Sequence, residues 1–200
     1  DAAIGLAIST NGGLDFQKIS QGPVLAASVH EPFLVGDAFV RKFDSSYHMW
    51  YIFGTRWVPG TNGAPPDRVY KIAHATSFDG IEWTKEGRQI VNDKLNRDEC
   101  QALPSVVEIG GRYHMYFCYR HASDFRSNSS RGYRLGYAFS DDLITWSRDD
   151  ASAGIDVSAD GWDSEMQCYP HVFVMDEDTY LLYNGNEFGR FGFGLAKLEN

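Results

Sequence analysis

Short apolar runs broken by polar turns recur along this chain at a nearly fixed interval. SYHMWYIFGTRW from Ser46, RYHMYFCYRHA from Arg112 and TYLLYNGNEFG from Thr179 superimpose, with His48, His114 and Tyr180 separated by 66 residues at each step. Ten residues before each of these stands Ala38, Pro104 or Pro170, within GDAFV, LPSVV and YPHVF. An apolar run, a polar turn (FDSS, EIGG, MDED) and an aromatic-rich run together predict a β-hairpin.

A second pattern lies between the hairpins: AISTNGGLDF from Ala7, ATSFDGIEW from Ala75 and AFSDDLITW from Ala138. Each copy is an apolar strand, a Ser, a turn rich in Asp, Asn or Gly, and then an aromatic: Phe16, Trp83 or Trp146. Asp, Asn and Gly tolerate the turn's backbone angles and cap its amides, so the aromatic is expected to fold back over the turn as core. FGFGLAKLEN at the C-terminus starts a further copy. Four antiparallel strands per unit of about 66 residues predict an all-β fold, a β-propeller rather than a β-sandwich. About three blades' worth of units fill residues 1–200, read as a single propeller domain or part of one. The longest loop expected is VPGTNGAPPDR, Val58 to Arg68, inside a blade.

The register then sorts the polar residues. Glu99 and Glu165, Gln101 and Gln167, and Pro104 and Pro170 are each 66 apart, giving Glu-x-Gln-x-x-Pro at the leading end of two inner strands. The preceding unit offers EPFLVGDAF, with Glu31 and Asp37, and Asp37 aligns with Leu103 and Tyr169. Inner strands ring a central channel, so their leading residues converge on one mouth. Residues just after each second strand return to the same face: Arg56, Arg120, Asp124, Asn184 and Asn186, with Trp57, Tyr119, Trp162 and Asp163 nearby. Aromatic faces, carboxylates and amides around a concavity suit a sugar, whose rings stack and whose hydroxyls hydrogen-bond. His48 and His114, mid-strand among aromatics, read as hydrogen-bonded packing residues.

Composition narrows the partners. With 18 Lys plus Arg against 27 Asp plus Glu, the net charge is −9, which disfavours nucleic acid and anionic membrane surfaces. No apolar run reaches the length of a transmembrane helix, and no signal peptide is visible in this segment. Three cysteines (Cys100, Cys118, Cys168) cannot all pair within the chain and lack metal-ligand spacing. They read as buried thiols, and the odd count favours the cytoplasm. The sequence leaves the oligomeric state open.

The turn motif from Ser77 to Trp83 and the acids at inner-strand leading ends resemble the five-bladed β-propeller glycoside hydrolase superfamily, both its arabinanase/xylosidase-like and its invertase/levanase-like branches. The resemblance covers most of the chain and implies a glycosidase acting on a carbohydrate through paired carboxylates at the channel mouth. Gly36-Asp37-Ala38 sits where the invertase-like branch carries Arg-Asp-Pro, and Glu99-Cys100 matches its Glu-Cys. The implied roles are therefore Glu99 as acid, Asp37 as stabiliser and Glu165 as second acid or sugar ligand. Gln101, Gln167, Arg56, Trp57, Arg120, Asp124, Trp162, Asp163, Asn184 and Asn186 are the expected substrate-binding set. No counterpart of the nucleophile-bearing Asn-Asp-Pro motif is found, which predicts an N-terminally incomplete portion. No cofactor is expected, although a water-filled propeller channel can hold a calcium ion. A non-catalytic glycan-binding propeller, a sialidase-type enzyme and a pure interaction propeller are the competing readings.

Overall fold

Three tight turns set the hairpins. Gly110 and Gly111, and equally Asp176 and Glu177, all have positive φ, as a two-residue hairpin loop with right-handed strand twist requires. Asp44 (φ 52°) opens the third. In the computed structural model, which describes residues 2–60 and 65–199, these turns join β3 (Val35–Phe43) to β4 (Ser46–Val58), β7 (Glu99–Ile109) to β8 (Arg112–His121), and β11 (Cys168–Met175) to β12 (Asp178–Asn184). The expected long loop after β4 is present, but its residues 61–64 lie outside the described residues.

The remaining strands are β1 (Ala7–Ile8), β2 (Gln17–Lys18), β5 (Asp67–Ser77), β6 (Thr84–Lys85), β9 (Arg134–Ser140), β10 (Ser147–Arg148) and β13 (Phe193–Lys197). They assemble, among the described residues, into a β1-β2 pair, two four-stranded antiparallel sheets (β3-β4-β5-β6 and β7-β8-β9-β10) and a three-stranded sheet β11-β12-β13. Sequential four-stranded antiparallel units of this kind are propeller blades. A single helical turn, α1 (Asn186–Gly189), follows β12.

Period-two alternation explains how blades stack. On β4, Met49, Tyr51 and Phe53 face one core together with Val35 and Ala73, while Trp50 and Ile52 face another shared with Met115, Phe117 and Tyr119 of β8. On β8 the opposite parity places Cys118 against Cys168, Val172 and Leu181 of the next sheet. The second strands β4 and β8 are thus buried on both faces. The three cysteines are free and buried.

The connecting turns behave as their chemistry dictates. Asp79 Oδ1 accepts from the N–H groups of Ile81 and Glu82 at 2.8 and 2.9 Å, and Asp142 Oδ1 accepts from Ile144 and Thr145 at 2.9 and 2.7 Å. Trp83 and Trp146 fold back, each indole N–H donating 3.1 Å to a turn carbonyl. Phe16 departs from the expectation of a core anchor, being 66% exposed against 6% for Trp146. A phenyl ring has no N–H to reach the turn, and the β1-β2 pair gives it no third strand to pack on.

A cation on the outermost strand ties each four-stranded blade to the approach to its inner strand. Lys85 of β6 lies over Tyr51 and pairs with the fully buried Glu31, which also accepts from the Tyr51 hydroxyl at 2.6 Å. Arg148, 63 residues later, lies over Phe117 and Tyr119 and donates to Glu99 at 2.6 Å. Breaking a buried pair by removing one partner leaves a desolvated charge, which costs about 3–5 kcal/mol. Arg148→Met should therefore lower the urea midpoint by a free energy of that order, and Arg148→Met combined with Glu99→Gln should recover part of the loss.

Candidate functional site

Each inner strand breaks register at the same repeat position. Pairing shifts between Gly36 and Phe39 on β3, between Ala102 and Ser105 on β7, and between Cys168 and His171 on β11. The first residue of each bulge is left-handed: Asp37 (φ 52°), Leu103 (φ 49°) and Tyr169 (φ 59°). A non-glycine residue held there costs on the order of 1–3 kcal/mol, so its threefold recurrence needs a reason. A bulge re-aims a side chain, and all three residues line one cavity of about 750 Å³. The three positions aligned by sequence thus meet at one mouth.

Arg120, at the end of β8, forms the floor. Its Nη1 donates to the carbonyls of His121 and Ala122 at 2.8 and 3.1 Å, and its Nη2 donates to the Tyr70 hydroxyl at 2.8 Å. The guanidinium lies 3.5 Å from the Phe125 ring centroid, and its Nε is buried with no partner among the described residues. Tyr70 and Tyr133 share a hydroxyl–hydroxyl contact of 2.9 Å. Burial raises both phenol pKa values, so both remain proton donors at neutral pH. Phe188, Arg126, Arg68 and Asp67 complete the rim.

Asp37 differs from an ordinary surface carboxylate. Its side chain is open to the cavity, yet the enclosing walls desolvate it and raise its pKa, opposed in part by a hydrogen bond from the Leu103 N–H. A raised carboxyl pKa is the direction of shift that a general acid needs. The Asp37 carboxyl and the phenols of Tyr70 and Tyr133 supply the titratable groups, while Tyr169 and Phe188 supply flat apolar faces.

Other predicted residues lie elsewhere. Glu99 is fully buried and outside the cavity lining; Oε2 accepts from the backbone N–H groups of Lys94 and Leu95, and Oε1 from Gln101 and Arg148. Gln101 is buried beside it, accepting from Ile72 N–H and donating to Val91. Glu165 is exposed, its backbone carbonyl taken by Arg134. Gln167 donates to buried Asp163 at 2.9 Å, and Tyr183 also donates there at 3.3 Å. Asn186 is buried and bonds the N–H groups of Glu165 and Met166, while Asn184 donates to the Phe188 carbonyl. Asp124 closes a turn with its carbonyl, Trp162 stacks on Tyr183, and Arg56 pairs with Asp98. Trp57 is 48% exposed, with Arg68 over its ring. Tyr119 is buried under Lys94 and Arg148. Of the expected set, Asp37 and Arg120 line the cavity. A missed signal was available: Tyr70 and Tyr133 are 63 residues apart, as are Ala75 and Ala138. Among the described residues no group of three or more His, Cys, Asp or Glu is disposed to hold a metal ion.

Comparison with solved structures identifies the fold. A thermostable family-43 glycoside hydrolase superimposes with a TM-score of 0.70 at 14% identity, covering 99% of this chain and 64% of its own. A family 117 glycoside hydrolase of Zobellia galactanivorans gives 0.64 at 20% identity, covering 83% and 53%. A GH32 β-fructofuranosidase of Bombyx mori gives 0.50 at 16%, covering 75% and 29%. The fold is that of the propeller glycoside hydrolases. No family model matches the chain. Two uncharacterized proteins of Mycobacterium tuberculosis, from strains CDC 1551 / Oshkosh and ATCC 25618 / H37Rv, are each 38% identical over 197 residues. The chain spans 61% of the length of these relatives, and the alignment takes in 98% of the chain.

The raised pKa of Asp37 has a stability consequence. A carboxyl whose folded pKa exceeds its unfolded value binds its proton more tightly when folded, so its ionisation opposes folding at higher pH. Asp37→Asn removes that opposition. It should raise Tm at pH 7, with the gain fading as pH falls through the folded pKa towards the unfolded one, as followed by thermal melts across pH 3–8.

Proposed function

We propose that this protein is a carbohydrate-active propeller that holds a glycan at the channel mouth, with Asp37 as its acid–base group. The observation that carries this reading is the triple bulge, which turns Asp37, Leu103 and Tyr169 of three successive inner strands into one cavity beside the Arg120–Tyr70–Tyr133 cluster. Strain repeated at one register and aimed at one concavity is a cost that packing does not call for. The kinship of fold with glycoside hydrolases supports a saccharide as the occupant. Pyranose faces would lie on Tyr169 or Phe188, while the phenols bond to hydroxyls.

Glycoside cleavage uses one protonated carboxyl to release the leaving oxygen and a second to act as nucleophile or base. Asp37 fits the first requirement through its raised pKa. Asp67, on the same rim, is the second carboxyl the cavity offers. Glu99 enters this proposal as the residue that fixes the leading end of β7, because both its oxygens are already engaged. Glu165, exposed and outside the cavity lining, has no role in this reading.

One observation favours a second reading, glycan binding without cleavage: the only other carboxylate beside Asp37 in the described lining is Asp67. The two readings separate experimentally. In the full-length protein, Asp37→Asn should cut turnover of a responsive aryl glycoside by about 10²–10⁴-fold, the usual worth of a general acid or base, with an unchanged circular-dichroism spectrum. Glu99→Gln should instead act mainly on stability. Wild-type turnover by the Asp37 variant would overturn its assignment, and saccharide affinity with no product from the wild type would establish the binding reading.

A further inference from the structure

Charge at the mouth runs against the charge of the chain. The sequence carries −9 overall, yet three arginines (Arg68, Arg120, Arg126) and two carboxylates (Asp37, Asp67) line the cavity. Arg68 and Arg126 are exposed, and neither forms an ion pair among the described residues; instead they lie over Trp57 and Phe125, 5.6 and 4.2 Å from the ring centroids. Such stacking positions a guanidinium while leaving its N–H fork free to bind.

Arg120 makes the stronger case. It is 95% buried, with 5% of its surface exposed, and no carboxylate pairs with it. Neutral carbonyls and a phenol take its terminal nitrogens, aromatic rings enclose it, and its Nε–H has no acceptor among the described residues. A buried cation without a counter-charge is costly unless another group supplies one. Arg148, the other buried arginine on an aromatic shelf, has two carboxylates.

Building on the carbohydrate reading above, we propose that the ligand of this mouth is a saccharide bearing an anionic group, a carboxylate or a phosphate, seated against Arg120 and clasped by Arg126 and Arg68. Bidentate guanidinium contacts match the geometry of either anion, and a desolvated site strengthens them. The sugar ring would carry the anion to the arginines while its glycosidic side faces Asp37.

The experiment is isothermal titration of the full-length protein with paired methyl glycosides of glucose, galactose and mannose, their uronic acids and their 6-phosphates, and with inorganic phosphate alone. At least one acidic member should bind tenfold or more tightly than its neutral parent, with an affinity that falls as salt rises. Arg126→Gln and Arg68→Gln, both at exposed positions, should each reduce that preference several-fold with an unchanged circular-dichroism spectrum. A uronate preference identifies the anion as carboxylate, and a 6-phosphate preference identifies it as phosphate. Equal affinity for acidic and neutral partners would overturn the anionic inference and leave the carbohydrate reading standing. Binding of inorganic phosphate with no saccharide bound, or no binding at all, would overturn both.

Discussion

The left-handed residue at the bulge of each inner strand is the constraint from which the mouth follows. An unbroken strand would alternate its side chains strictly between the two faces of its blade, sending all of them into inter-blade cores. One extra residue between Gly36 and Phe39, Ala102 and Ser105, and Cys168 and His171 breaks that alternation. The left-handed residue there (Asp37, Leu103 or Tyr169) lines the cavity, and the pairing resumes in phase with the cores beyond it. Because the cores on either side are continuous, the strain at the bulge cannot relax without disturbing Val35, Val106 and Val172, all fully buried.

Around this constraint the blades are held by ties that use the same positions differently. Tyr51 and Tyr183 are equivalent in the repeat, and each donates its hydroxyl to a buried carboxylate, Glu31 or Asp163. At the intermediate position stands Phe117, which has no hydroxyl, and there Glu99 takes backbone N–H groups of Lys94 and Leu95 in its place. Glu31, Glu99 and Asp163 are therefore fasteners, and the polar groups that line the cavity are those set by the bulge and by the ends of the second and third strands.

Much of the fold was legible because a repeat of about 66 residues is written in residue types that turns and strands require, so register could be read without structure. The alignment of Asp37 with Leu103 and Tyr169 came from that register, and these three residues line one cavity. What register could not supply was orientation along a third dimension. Glu99 and Glu165 look alike in sequence, yet one is fully buried and the other exposed. That difference depends on residues 92–98 folding over Glu99 and on Arg148 arriving from a strand 49 residues away. Tyr70 and Tyr133 keep the regular repeat spacing, but a tyrosine in or beside a buried strand has the same sequence signature whether it packs in a core or turns its hydroxyl to a cavity.

The two buried arginines show how placement converts one chemistry into two uses. Arg148 and Arg120 both lie on aromatic shelves, with ring centroids at 4.5 and 3.5 Å from the guanidinium carbon. Arg148 reaches in from the outermost strand to the fully buried Glu99, and it is matched by Glu99 and Asp150. Arg120 lies at the wall of an open cavity, where its fork is fixed by carbonyls that orient it without neutralising it. Arg120 thus contributes an unneutralised positive charge to the cavity wall, whereas the charge of Arg148 is cancelled inside its own blade.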